Sequence, residues 1–413
     1  MATLALGAPY RRLWSATLLS NLGDGIRAAA FPLLAVTLTH SPILIAGVAV
    51  ATQLPGLLLG LTAGSLADRF DRRRLVVVAD AVRLAFLVGL VGLIVSGWVT
   101  MTVLYVVVFV SGITDVVRAT AASTLVPSLV SRDQLDRANG RMVTAEIAGS
   151  EFVGPPLGGY LFGVALVLPF AINGGTLALA VALVASIPAL VETTATAAGP
   201  GTPARRERSR ISGGVRWLRR NRSFWPVPAT SVVLAVTDSA WFTLLVLYVH
   251  DVLHLPFAWY GILLAVGAVG GLAGGFFAAT LTRKVGAKAT TLVCLGLTAA
   301  GQLALGTTSS VFATAVVMAT SSMAFAIWTV QVRTTIQRAA PAQLLGRVIS
   351  INRVLITAGS LIGASLGGVA ASGLGLHAPF LLGLPILIFA GLFVAASRTT
   401  PDAPSTGANA TTR

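Results

Sequence analysis

The sequence predicts an all-α protein that crosses a membrane about twelve times, as two pseudo-symmetric six-helix bundles with both termini in the cytoplasm. Three observations predict it. The composition is too apolar for water: 55% of the 413 residues are hydrophobic and only 10% charged, mean hydropathy is +0.85, and a soluble domain carries about 25% charged residues. The Lys and Arg residues fall in alternate connections between apolar runs. Pieces of the first half return, in order, in the second.

A bilayer core of about 30 Å needs roughly 20 apolar residues per crossing. Runs of that order cover 13–38, 43–67, 75–95, 101–121, 142–163 and 167–190, then 226–249, 257–281, 290–306, 311–332, 349–371 and 379–396. Each is expected to be a helix, because backbone polar groups in lipid must be satisfied within the segment. This divides the chain into a first bundle (1–190), a basic linker (191–225), a second bundle (226–397) and a tail (398–413) expected to be disordered. The first residues lack a charged n-region and an A-x-A-like site, so the first run is expected to be retained. The single cysteine, Cys294, can build neither a disulfide framework nor a cysteine zinc site.

Orientation follows from the cations, since cytoplasmic loops hold the excess of Lys and Arg. One set of connections carries Arg11, Arg12, Arg69, Arg72, Arg73, Arg74, Arg132, Arg137, Arg141, the linker cluster from Arg205 to Arg222, Arg283, Lys284, Lys288, Arg338 and Arg347. The turns of the other set, at 39–42, 96–100, 307–310 and 372–378, carry none. The net charge of +15 therefore sits beside apolar spans, which points to anionic lipid headgroups and away from nucleic acid. Within the linker, Ile211, Val215 and Leu218 share one face with arginines elsewhere, as suits a helix lying in the interface.

The repeat has a spacing near 210 residues. Asn21-Leu22-Gly23-Asp24 corresponds to Ala235-Val236-Thr237-Asp238, Arg118-Ala119-Thr120 to Arg333-Thr334-Thr335, and Pro127 to Pro341. Leu135-Asp136-Arg137-Ala138 corresponds to Leu345-Gly346-Arg347-Val348. The six residues Gly154-Pro155-Pro156-Leu157-Gly158-Gly159 correspond to Gly363-Ala364-Ser365-Leu366-Gly367-Gly368. An even number of spans separates the partners, so the repeats are parallel.

The loop after the second run reads Gly64-Ser65-Leu66-Ala67-Asp68-Arg69-Phe70-Asp71-Arg72-Arg73-Arg74. Gly64 permits close helix approach, while Asp68 can cap the next helix and pair with Arg72 or Arg73. This loop resembles the motif between helices two and three of the major facilitator superfamily, departing by Asp71 where that family usually has Gly. Arg11-Arg12-Leu13 leading to Gly23-Asp24, with the stretch from Pro127 to Asn139, is similar to the branch of macrolide and siderophore exporters. The resemblance implies a secondary active transporter. Gly64, Asp68, Arg69, Arg72 and Arg73 would form a conformational latch, with Asp115 and Arg118 nearby. Gly154, Pro155, Gly158 and Gly159 resemble the glycine-rich antiporter motif and are equally a helix-packing face.

Charges within the spans cost several kcal/mol unless paired or facing water. Asp24 lies about 16 Å from the start of its run at 1.5 Å per residue, and Asp238 lies at matching depth. Both are candidates for proton coupling or substrate binding, together with Arg27 and Glu151. For Asp24 the other reading is a static partner of Arg27. Asp80 with Arg83, and Asp115 with Arg118, are i,i+3 pairs for which neutralisation within one helix is the simplest account. Trp241, Phe242 and Trp328 are candidate cavity aromatics.

The resemblance implies proton-driven export of amphiphilic small molecules by alternating access, with uptake of a small metabolite, lysophospholipid movement and a non-transporting receptor as alternatives. No enzyme is expected: His40, His250, His254 and His377 all fall in outer loops with no Cys or carboxylate cluster at metal spacing, and without a Walker loop the chain cannot hydrolyse ATP by that route. His250, Asp251 and His254 fall within one helical turn, where a metal could bind, but no metal and no cofactor beyond the proton gradient is expected. The chain is expected to act as a monomer in a bacterial inner membrane.

Overall fold

The structure is a computed structural model describing residues 7–59, 71–131, 134–187, 216–221, 224–341 and 344–397. Among these residues no strand occurs. The first half comprises α1 (Ala8–Leu38), α2 (Pro42–Leu59), α3 (Arg72–Val95), α4 (Met101–Leu129), α5 (Leu135–Glu146), a π-helical turn (Ile147–Val153), α6 (Gly154–Val164) and α7 (Leu168–Ala185). In the second half, α8 (Pro226–Phe242) continues through Leu245–Leu247 into another π-helical turn, Tyr248–Val252. It is followed by α9 (Ala258–Thr307), α10 (Val311–Ala339), α11 (Leu345–Leu374) and α12 (Ala378–Ala396).

Nine helices among the described residues are long and apolar enough to cross a membrane. α9 is one of them, yet its 50 residues rise about 75 Å at 1.5 Å each, over twice a bilayer core. It bends at Gly286, whose φ of 83° is unlike any helical residue and is open to glycine without strain. The helix is thus broken into two at Gly286, and the two pieces fall on the two runs expected at 257–281 and 290–306. The expected run at 142–163 belongs to the rod α5–π–α6, where seven π-helical residues widen the middle. α1 carries Asp24 and Arg27 in its interior, which lowers its hydropathy as a span.

Matching devices recur in the two halves. Thr100 caps α4 by accepting from Val103 N–H at 3.4 Å, and Ser310 caps α10 through Ala313 N–H at 3.4 Å. Arg73 donates to the last carbonyls of α7, Val184 and Ala185. Lys288 donates to Ala395 and Ser397 at the end of α12, at 2.7 and 2.9 Å. A cation at a helix C-terminus answers both the free carbonyls and the negative dipole end.

The apolar core shows how the halves meet. One cluster belongs to the first half alone, built from Tyr10, Leu13, Val76, Leu125 and Val184. A second belongs to the other half alone, around Cys294, Trp328, Ile336 and Val394. The third merges both, joining Phe31, Ile45 and Phe162 to Leu245, Tyr248, Tyr260 and Ala371. Among the described residues the halves therefore share a core at the end holding the cation-free turns, while the clusters at the end holding the arginine-rich connections each stay within one half. Of the linker, 216–220 is helical with Leu218 buried and Arg216, Arg219 and Arg220 exposed. Ile211 and Val215, like the tail 398–413, lie outside the described residues.

Candidate functional site

Three helices of the first half each carry an Asp-x-x-Arg pair: Asp24 and Arg27 on α1, Asp80 and Arg83 on α3, Asp115 and Arg118 on α4. The structure interlaces them. Arg83, 1% exposed, places Nη1 2.8 Å from Asp24 and also against Asp115, while its Nη2 donates to Ser20 at 3.0 Å. Arg27 holds Asp24 at 3.2 Å and donates to Asp115 as well. Arg118 binds Asp80 at 3.0 Å, both almost wholly buried. Neutralisation within α3 and within α4, the simplest account from sequence, is therefore replaced by pairing between helices. Three carboxylates and three guanidinium groups give no net charge, which is what makes their burial tolerable.

This network changes the standing of several candidates. Asp24 has two arginine partners and is not an unpaired carboxylate, as its place in the sequence alone allowed. Asp115 and Arg118 bind Arg27, Arg83 and Asp80 within the bundle, and none of these partners is a loop arginine. Arg83 emerges as the hub. The signal for it was the threefold recurrence of Asp-x-x-Arg on helices that must pack together.

Asp238 on α8 contrasts with this. It accepts one hydrogen bond, from Trp241 Nε1 at 3.1 Å, and no Lys, Arg or His lies within ion-pairing distance among the described residues. It borders a small cavity, with room for about one water, lined by Leu234, Cys294, Thr298, Ser321, Ala324 and Phe325. Gln302 donates to the neighbouring Thr237 carbonyl at 3.3 Å. Across the α9–α10 seam, Gln331 donates to Thr291 Oγ1 at 2.7 Å, a neutral bond where the α3–α4 seam has Asp80 and Arg118.

Glu151 projects from the π-helical turn and is exposed. It lies within electrostatic reach of Glu146 and of Arg333 on α10. The turn itself packs on α1: a Cβ at Gly149 would meet the backbone of Asn21 and Leu22, and one at Gly154 the backbone of Gly25. Gly158 is pressed against Ile26, and Gly159 against Gly261 of α9 in the other half. Pro155 contacts the Gly25 site. On the opposite seam Gly368 of α11 meets Pro42, Ile43 and Ala46 of α2. The glycine motif is thus a two-sided packing face, one side toward α1 and the other toward the second bundle.

Of the aromatics, Trp241 and Trp328 are 3% and 2% exposed in packed cores. Trp241 stacks on Phe380 at 5.8 Å. As cavity-lining groups these two are corrected; only Phe242, 42% exposed, presents its ring. The loop latch is described in part. Gly64, Asp68 and Arg69 lie outside the described residues, and α3 begins at Arg72. The cap that sequence assigned to Asp68 is filled by Asp71, which accepts from Arg73 and Arg74 N–H at 2.8 and 3.2 Å. Position decides this: Asp71 immediately precedes the helix, whereas Asp68 stands three residues further back.

The model of the Major Facilitator Superfamily matches residues 13–363. The multidrug efflux pump Tap of Mycobacterium tuberculosis is 30% identical over 395 residues, covering 90% of this chain and 89% of the pump. Among solved structures, a bacterial homologue of the iron transporter ferroportin superposes with TM-score 0.72 in its inward-facing state, at 18% identity, covering 94% of this chain and 98% of that one. In its outward-facing state the TM-score is 0.58, at 20% identity and the same coverage. The chain belongs to the major facilitator superfamily. It is a multi-pass transporter of the bacterial inner membrane.

Proposed function

We propose that the chain exports amphiphilic small molecules by alternating access and that protons entering the cell drive it through Asp238. The carrying observation is the contrast in pairing. Asp24, Asp80 and Asp115, inside the first bundle, are each held by arginine, while Asp238 faces an indole N–H and a small cavity. A carboxylate without a cation in a membrane interior is costly when charged, so a cycle that protonates it on one side and releases it on the other does work with it. Glu151, exposed between the halves, is the second acceptor. Efflux is supported by the resemblance to the Tap pump over nine-tenths of the chain.

The same reading takes the chain as twelve spans with both termini cytoplasmic, α9 counting twice. The cleft that separates the halves at the arginine-rich end then opens inward, where substrate is collected, and those arginines face anionic headgroups. The test uses proteoliposomes with an imposed pH gradient and a panel of cationic and neutral amphiphiles. Asp238→Asn is expected to keep substrate binding and to lose uphill export and substrate-induced proton movement. Parent stoichiometry in that variant overturns the assignment and passes the role to Glu151.

A further inference from the structure

Where the halves are fused, the structure brings a histidine of the first half to an adjacent His-Asp pair of the second, over two hundred residues away in sequence. His40 lies in the turn between α1 and α2, and His250 and Asp251 lie in the π-helical turn after α8. His250 Nδ1 is 2.6 Å from Asp251 Oδ1, and His40 Nδ1 approaches the same oxygen at 3.6 Å. The two imidazole rings are 5.8 Å apart, and one donor atom from each of the three residues lies within 4.8 Å of the others. His254, which sequence spacing put on the same helical turn, has left the helix at φ 52°. His40 takes its place from the other half.

We propose that His40, His250 and Asp251 form a site for a divalent transition-metal ion that bridges the two halves at their closed end. Two imidazole nitrogens and one carboxylate suit zinc, cobalt or nickel, with water as the fourth ligand. Donors about 2.1 Å from a tetrahedral ion stand roughly 3.4 Å apart, and the present 2.6 and 3.6 Å bracket that spacing. The site is accessible: the side chains of His40 and Asp251 are 66% and 31% exposed. It is also supported. His250 stacks on Phe257 with centroids 5.0 Å apart, and Phe257 meets Phe162 of the first half edge-on at 5.7 Å, so the His250 ring is held in place by both bundles.

The consequence is conformational. Opening this end must carry His40 away from Asp251, so an ion shared by them favours the closed arrangement by its binding free energy. The inference does not depend on the substrate or on Asp238, and its test uses neither. The full chain, reconstituted in lipid nanodiscs and stripped with EDTA, is titrated with zinc by calorimetry and thermal melting. One zinc ion per chain is expected, binding at about micromolar level and raising the melting temperature by several degrees. His40→Ala, on a mostly exposed side chain, should fold normally and bind at least about tenfold more weakly; Asp251→Asn should do the same. His40→Asp, which restores a ligand, should recover most of the affinity, and His254→Ala should leave it unchanged. No binding below about 100 μM, or parent affinity in His40→Ala, overturns the site.

Discussion

Asp24 and Asp238 occupy corresponding places in the repeat, but what stands three residues further along each helix separates their chemistry. On α1 it is Arg27, and around it α3 and α4 supply Arg83 and Asp115. On α8 it is Trp241, whose indole N–H is the one hydrogen-bond partner of Asp238 among the described residues, and the neighbouring helices supply Cys294, Thr298 and Ser321. One half locks Asp24, Asp80 and Asp115 into a neutral ionic lattice. The other leaves a carboxylate free to change charge. A lattice of six paired groups resists change, since moving one proton leaves a guanidinium unpaired at a cost of several kcal/mol, whereas a lone acid can gain or lose a proton without dismantling a partner.

The most damaging way to break this comparison is to remove the hub. Arg83→Ala leaves Asp24 and Asp115 facing each other with Arg27 alone between them, and is expected to cost about 3–5 kcal/mol. In purified protein this should appear as aggregation or a large fall in melting temperature. Asp238→Asn should leave the melting temperature nearly unchanged. Equal losses in the two variants would mean that Asp238 is also a structural ion.

The helix seams sharpen the contrast at lower cost. Asp80→Ala strands Arg118 in the α3–α4 seam and should cost about 3 kcal/mol. Gln331→Ala removes two neutral bonds from the α9–α10 seam, to the Ala287 carbonyl and Thr291 Oγ1, and should cost roughly 1–2 kcal/mol. Melting both variants in the same detergent gives the difference directly; a cost for Gln331→Ala matching that of Asp80→Ala would remove the distinction between a charged and a neutral bundle.

Much of this was legible in the sequence, and the exceptions have physical causes. Composition, alternation of cations and the repeated segments gave the helical membrane fold, because lipid leaves a chain few options. Partner choice was not legible. Asp80 and Arg83 share a helix and their spacing suits an internal pair, yet the tighter geometry runs between helices, and sequence spacing says nothing of rotation about a helix axis. The joining of His40 to Asp251 depends on how two bundles dock. Trp241 and Trp328 look like cavity walls in a list of aromatics, but each fills a core. The break at Gly286 was legible, because it falls in the gap between the runs 257–281 and 290–306 that holds Arg283, Lys284 and Lys288.

The glycine seam offers a prediction about the halves rather than within them. A Cβ at Gly159 would run into the backbone of Gly261, so Gly159→Val should push the bundles apart at their fused end, with about 1–3 kcal/mol lost from the closed arrangement. Gly296 has nothing within 4 Å of its Cβ position, and Gly296→Val is the control. A cysteine placed at Val36, buried in the fused core, should label faster in the first variant and at the parent rate in the second. Unchanged labelling in Gly159→Val would mean that the seam yields without opening.

The smallest expected effect concerns Asp71, the residue by which the loop departs from its family's usual glycine. Its carboxylate accepts from the N–H groups of Arg73 and Arg74 and stands 3.8 Å from the Arg74 guanidinium, an exposed contact. An acidic cap at the positive end of a helix dipole accounts for the choice. Loss of such a cap costs about 1 kcal/mol when alanine replaces it and only a few tenths when glycine does. Asp71→Ala should therefore lower the melting temperature slightly, Asp71→Gly should lower it less, and Asp71→Asn should match the parent. That ordering is specific to capping. If Asp71→Asn falls as far as Asp71→Ala, the charge itself matters, and the pairing with Arg74 or with the loop's other arginines outweighs the cap. If Asp71→Gly is the worst of the three, backbone freedom at the start of α3 is what the acid suppresses.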